Sequence, residues 1–152
     1  LLLQGSDNSE LFFLTGQVYM QKEEFKAAKE FFLKAILVDA SQSDYYNGLG
    51  ITNLQLGDDL EALINFERAI SINKKNVSAY VGMALVLENN GLFEESGEHL
   101  YRAGLYSISI SDYVSAVYAL SELKRLALKK VGLYQKVEDL EAVIKFNRNM
   151  IH

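Results

Sequence analysis

Residues 44–74 read DYYNGLGITNLQLGDDLEALINFERAISINK, and this stretch decides the fold. Apolar residues recur at three- and four-residue spacing on both sides of Leu56-Gly57-Asp58, a turn signal, so the stretch reads as helix, turn, helix. The small residues Gly50, Ala62 and Ala69 sit inside the apolar faces. Glycine within a helix costs about 1 kcal/mol relative to alanine. Gly50 therefore calls for a packing reason, and the simplest is a second helix lying close against it.

Thirty-four residues to either side the pattern returns. Gly16, Gly50 and Ala84 share one register; so do Ala28, Ala62 and Ser96; Phe32, Phe66 and Leu100; and Ala35, Ala69 and Ala103. Phe12, Tyr46 and Tyr80 stand four residues before each of the first set. Several independent columns agreeing in three copies make an internal repeat, and a period of about 34 residues is that of helix-turn-helix solenoid units.

With these columns and this period, residues 9–110 resemble the tetratricopeptide repeat (TPR) family. The resemblance implies an all-α fold, a right-handed superhelical α-solenoid of antiparallel helix pairs, with repeats at 9–42, 43–76 and 77–110. Departures are local. Glu23 replaces the turn glycines Gly57 and Gly91, Thr15 the large apolar Leu49 and Met83, and Asp59 the aromatic Phe25 and Phe93, with Leu60 expected to take over its packing. The proline common at the close of the second helix is absent; Ala40, Lys74 and Ile108 stand there.

Within the repeats, the expected first helix runs over 9–21, the turn over 22–24 and the second helix over 25–39. Ser41-Gln42-Ser43-Asp44 is a capping-box-like start for the next helix. Gly97 and Gly104 are expected to loosen the second helix of the third unit, and the alternating Ser107-Ile108-Ser109-Ile110-Ser111 to form a linker that closes the regular array. Residues 1–8 read as the remnant of a preceding repeat, with Gly5 and Ser6 as stop and cap signals, or as a tail. After Ser111 the spacing degrades: 112–131 reads as one long helix, Gly132 breaks it, and 134–151 follows with Val137, Leu140, Val143, Ile144 and Asn147 as its seam. Gly132-Leu133-Tyr134 repeats Gly91-Leu92-Phe93 after 41 residues. The expectation for 111–152 is an atypical fourth helix pair that caps the array, since terminal repeats shield the last interface. The alternative is a docking face for another subunit, with Phe146 and Met150 exposed and a homodimer through the C-terminal helices as one form of it.

Composition limits function. With 49% hydrophobic and 23% charged residues the chain has ordinary globular content, and with no cysteine it has neither disulfides nor a thiolate zinc site. No apolar run reaches the about 18 residues that a membrane span needs. The start at Leu1 leads us to expect missing upstream sequence; a cytoplasmic location is the working expectation. Net charge is −2 over residues 1–40, −5 over 41–110 and +2 over 111–152. The acidic centre speaks against nucleic acid, whose phosphates call for clustered cations. No motif of an enzyme is present: no phosphate loop, no nucleophile elbow, no HExxH. His99, one of two histidines, reads as a surface residue, and acids such as Asp58, Asp59, Glu94 and Glu95 sit where they favour a helix N-terminus. No cofactor is expected, and the chain reads as a non-enzyme.

The resemblance places the binding surface on the first helices, along a concave groove. Its residues would be Glu10, Phe13, Gln17 and Met20; Asp44, Asn47, Ile51 and Leu54; Ser78, Val81, Leu85 and Glu88; and, if the fourth pair keeps the geometry, Asp112, Ser115, Ala119 and Glu122. This surface is apolar in the middle and acidic at its margins, which suits a protein or peptide with apolar anchors and a basic flank; the competing reading makes Phe13, Ile51 and Leu85 core, or covers them with a terminal helix of the same chain. Family members that clamp acidic chaperone tails use lysine and asparagine from the first such helix, asparagine from the second, and lysine and arginine from the third; the matching places here are Phe13, Gln17, Gly48, Ser78 and Gly82, and no cation stands at any of them. The function classes left are a scaffold or adaptor segment, a small secretion-type chaperone holding an apolar export substrate, and the regulatory arm of an enzyme whose catalytic domain lies elsewhere.

Overall fold

The computed structural model describes residues 5–150. Among them are eight α-helices: α1 Gly5–Gln21, α2 Phe25–Val38, α3 Ser43–Leu56, α4 Asp59–Ile72, α5 Val77–Asn89, α6 Phe93–Ser109, α7 Tyr113–Ala127 and α8 Tyr134–Met150, with a 3-10 turn at Val131–Leu133. They form two compact units, Leu1–Ala79 and Tyr80–His152, and each is taken by itself.

In the first unit α1 packs on α2, α2 on α3 and α3 on α4. The repeat columns are its core: Ala28, Phe32, Ala35, Ala62, Phe66 and Ala69 are all buried, as are Gly16 and Gly50. The glycines earn their place by proximity. A methyl group at Gly50 would stand 2.7 Å from Phe66 Cε1, and one at Gly16 2.8 Å from Phe32 Cε1. Phe32 also lies over Gly48, where the same test gives 2.9 Å, so one ring is wedged between α1 and α3. The helix close to Gly50 is thus the expected one, with Phe66 as the touching residue.

In the second unit the core gathers Leu100 of α6, Ala116, Leu120, Leu123 and Leu126 of α7, and Leu133, Val137, Leu140 and Ile144 of the C-terminal turn and α8. Ser96 donates its hydroxyl to Ala84 O at 2.7 Å, pinning α6 to α5. Tyr80 stacks on Tyr106 at 5.2 Å between centroids, and burial, with Tyr106 beside it, pushes its phenol up to about 12.

The three expected turns share one geometry. Glu23, Gly57 and Gly91 all take a left-handed backbone, φ 59°, 81° and 76°. The next residue then bonds back to the helix: Glu24 N to Tyr19 O, Asp58 N to Asn53 O and Leu92 N to Leu87 O, each at 2.9 Å. Glutamate pays a steric cost there that glycine does not. Glu23→Gly is expected to raise stability by about 0.5–1 kcal/mol, read as a higher denaturant midpoint at unchanged slope; a lower midpoint would contradict it.

Several expectations are corrected. α1 spans Gly5–Gln21, so Gly5 and Ser6 are helical and not a stop and cap; the rest of the expected remnant, residues 1–4, lies outside the described residues. The capping box at Ser41–Asp44 does not form, because Ser41 bonds Asp39 and Ser43 sends its hydroxyl to Ala69 O at 2.8 Å. Leu60 is 72% exposed and does not fill the place of the missing aromatic. Gly97 and Gly104 do not loosen α6: Leu133 and Leu140 pack where their side chains would be, so the glycines admit the C-terminal segment. The run from Ser107 to Ser109 is the end of α6, closed by Ser111 at φ 61°. Ser107 and Ser109 return their hydroxyls to Ala103 O and Tyr106 O, a local bonding that overrides the alternating pattern. The helix expected over 112–131 ends at Ala127, with Asp112 outside it as the cap accepting from Ser115 N at 3.0 Å.

Candidate functional site

In the first unit, turning Phe32 into the slot left by Gly16 and Gly48 creates a hollow beside it. The cavity is about 420 Å³ and is lined by Phe13, Gln17, Met20 and Gln21 of α1, Phe32 of α2, and Asp44, Asn47, Gly48 and Ile51 of α3. Phe32 forms its floor. Phe13 is held against it at 5.7 Å and against Tyr45 at 4.9 Å between centroids. Thr52 fixes the far wall, its hydroxyl 2.8 Å from Gly48 O and 3.1 Å from Met20 Sδ. Asn47 donates to Ser78 Oγ at 3.0 Å, while its buried Oδ1 accepts no hydrogen bond among the described residues.

A second hollow of about 330 Å³ adjoins the first through Phe13 and Asp44, and adds Ser9, Glu10, Asp39, Gln42 and Tyr45. It is acidic. Asp44 accepts from Asn76 at 3.2 Å, and hydrogen bonds from Ser41 and then Gln42 hold the Asp39 carboxyl below its usual range. An apolar hollow rimmed by amides thus stands beside one rimmed by carboxylates.

Of the sequence-derived groove residues, the structure brings Glu10, Phe13, Gln17, Met20, Asp44, Asn47 and Ile51 to these two hollows. Leu54 is half-buried and lines neither; Ser78 is exposed and serves Asn47. In the second unit, Val81, Leu85 and Glu88 border a recess of only about 50 Å³ with Tyr118, Glu122 and Arg125. Ala119, expected to extend the groove, is fully buried. Glu88, expected as a marginal acid for a basic ligand, is already matched by its own unit: Arg125 grips both carboxylate oxygens, at 2.8 and 2.6 Å, and Lys129 adds a third contact at 2.9 Å. Arg125 first, then Lys129, hold the Glu88 carboxyl down to about 2.

That depression has a pH consequence. Stability from Glu88 is present above its ordinary value near 4.5 and is lost as pH falls toward 2. Its cationic partners are about half exposed, so solvent screening reduces the effect to about 1–2 kcal/mol. Wild type minus Glu88→Gln should show that difference at pH 6 and lose it by pH 2; a pH-independent difference would contradict the assignment.

Sequence reading missed Gly48 and Gln21 of the first hollow and Ser9, Asp39, Gln42 and Tyr45 of the second. Gly48-Leu49-Gly50 holds the signal for Gly48, since two glycines two apart face different helices: Phe32 on one side, Phe66 on the other. The Glu88–Arg125 pair, 37 residues apart, carries no local signal.

Comparison with known proteins agrees with the fold. The tetratricopeptide repeat family description matches residues 9–42 and 43–76. The TPR repeat-containing protein MJ1428 of Methanocaldococcus jannaschii is 32% identical over 141 residues, 92% of this chain and 23% of that protein. Among solved structures, the Arabidopsis OM64 TPR domain is similar with a TM-score of 0.73 and 22% identity, over 83% of this chain and 99% of that one. PcrH in complex with the chaperone binding region of PopD gives a TM-score of 0.76 and 18% identity, over 82% and 94%. Residues 9–42 and 43–76 thus match the tetratricopeptide repeat family, and the chain has a fold of antiparallel helix pairs. It spans between 9% and 23% of the length of the curated relatives it matches. No described helix is long and apolar enough to cross a membrane.

Proposed function

We propose that the chain is a protein-protein interaction module that holds a polypeptide segment on the first helices of its repeats, as the scaffold or adaptor part of a larger protein. The single observation that carries this reading is the pair of adjoining hollows in the first unit, one apolar with a phenylalanine floor and one acidic. A large apolar side chain suits the first, where Phe13, Phe32 and Ile51 remove it from water. The amides of Gln17, Gln21 and Asn47 offer hydrogen bonds to its backbone, and a neighbouring lysine or arginine suits Glu10, Asp39 and Asp44. A second reading, a chaperone that holds an apolar export segment, is favoured by the similarity to PcrH, whose complex contains the chaperone binding region of PopD.

The C-terminal pair serves as a cap in this reading. Counting from the shared turn, Glu141 and Lys145 of α8 stand where α2 carries Phe32 and Ile36, and Glu141 is paired with Lys124 at 3.1 Å. A charged outer face ends an array; Phe146 and Met150, 66% and 74% exposed, lie toward the end of that helix.

Selection of random peptides against wild type, with counter-selection on Ile51→Glu, tests the proposal. Enriched sequences are expected to carry a large apolar residue near lysine or arginine. Enrichment of acidic C-terminal tails, or of peptides that bind both proteins equally, would overturn it.

A further inference from the structure

Gln17 and Gln21 of α1 line the apolar hollow and are exposed, and their side-chain amides make no hydrogen bond among the described residues. Asn47, across the hollow on α3, has already committed its amide nitrogen to Ser78 Oγ at 3.0 Å. A glutamine amide both donates and accepts, as a peptide group does. Gln17 and Gln21 are one helical turn apart and continue a row that starts at Phe13, with about 6 Å from each to the next along the axis. Alternate residues of an extended chain stand about 6.6 Å apart, with their side chains on the same side. A strand and this row of α1 therefore keep step. The directions agree as well: the glutamines are on the wall and Phe32 is the floor, and in a strand the hydrogen-bonding groups and the side chains point roughly at right angles. A helix in the hollow would leave the amides unused, because its own N–H and C=O groups are already bonded to each other.

The acidic hollow fixes a spacing along the same line. Phe32 lies against Gly16 and Gly48; Glu10 stands six residues before Gly16, Asp44 four before Gly48, and Asp39 seven after Phe32. At about 1.5 Å per helical residue these offsets are about 9, 6 and 10 Å. In an extended chain a residue next to the one over Phe32 points the opposite way, whereas the residue two along starts about 6.6 Å off on the same side. The long side chain of lysine or arginine covers the remaining distance.

Resting on the reading of these two hollows as the seat of a polypeptide, we propose that the segment lies extended along α1. A large apolar residue occupies the first hollow and a lysine or arginine two residues away occupies the second. Gln17 bonds the backbone of the apolar residue, and Gln21 that of the residue two further on, away from the cation. An extended backbone has N–H and C=O groups that must find partners when they leave water. The two glutamines supply those partners and so select an extended segment over a helical one, while Glu10, Asp39 and Asp44 set the distance between anchor and cation.

The test uses the whole chain and fluorescein-labelled nonapeptides of serine and threonine that carry one phenylalanine and one lysine, in either order and one, two or four residues apart. By fluorescence anisotropy, a spacing of two in one of the orders should bind about threefold or more tighter than spacings of one and four, the size of a rim charge contact. Methylating the backbone nitrogen of the phenylalanine should weaken that peptide about fivefold, the size of one hydrogen bond. Gln17→Leu should weaken it by a similar factor, and the methyl group should then have no further effect, because both changes remove one contact. Ile51→Glu should weaken every peptide by about tenfold or more. If Ile51→Glu acts so but a spacing of four binds best, or neither backbone methylation nor Gln17→Leu matters, the extended segment is overturned while the hollow stands as the site. Binding that Ile51→Glu leaves untouched, or no saturable binding by any peptide, would remove the site and this proposal together.

Discussion

Phe32→Ala is expected to cost about 3–5 kcal/mol, the range for emptying a buried phenylalanine site. Phe32 is 1% exposed, lies against both Gly16 and Gly48, and supports Phe13 from below. Neither glycine has a side chain that could relax into the space, so the cavity stays open and the penalty sits at the upper end of the range. Because the ring joins α1 to α3 as well as α2 to both, its loss uncouples the two hairpins of the first unit. Chemical denaturation should show a lower midpoint, and the hollow that Phe32 floors should lose its ligand. A loss under about 1 kcal/mol would mean that the ring is not wedged as described.

Gly50→Leu is the complementary experiment, adding bulk where the fold has none to spare. Even the first carbon of the new side chain would lie 2.7 Å from Phe66 Cε1 and 2.8 Å from Cδ1. Overpacking of this kind costs about 1–3 kcal/mol, after an offset of about 1 kcal/mol from the better helix propensity of leucine. Combining Gly50→Leu with Phe66→Ala should recover part of the loss, since each change makes the room the other lacks, and the two are in contact. Additive losses would place Gly50 and Phe66 against different neighbours.

Most of the fold was legible because a repeat reports its own errors. One glycine in a helix is ambiguous; Gly16, Gly50 and Ala84 in one register, each followed sixteen residues later by Phe32, Phe66 or Leu100, define a helix contact before any coordinates are seen. Where the period failed, so did the reading. In the sequence Gly97 and Gly104 look like weak points because their partners, Leu133 and Leu140, come from a segment with no register relation to α6. The serine-isoleucine run misled because a two-residue alternation and a helix end differ only in where the serine hydroxyls bond, and here they bond back to α6.

The site was legible in part for the same reason. Side chains that the repeat packing leaves over on α1 and α3 are those that line the hollows, so subtraction found Phe13, Gln17, Met20 and Ile51. Subtraction says nothing about charge partners far along the chain. Glu88 was therefore assigned to a ligand when Arg125 and Lys129 already hold it.

The central claim is that the apolar hollow between α1 and α3 receives a partner's side chain. Its most direct test is methyl NMR of the chain titrated with a selected apolar-basic peptide. The account predicts saturable shifts at Met20 and Ile51, both of which line the hollow, with Leu37 and Leu60 on exposed surface unmoved. Saturable shifts at Leu37 or Leu60 with Met20 and Ile51 unmoved would contradict it.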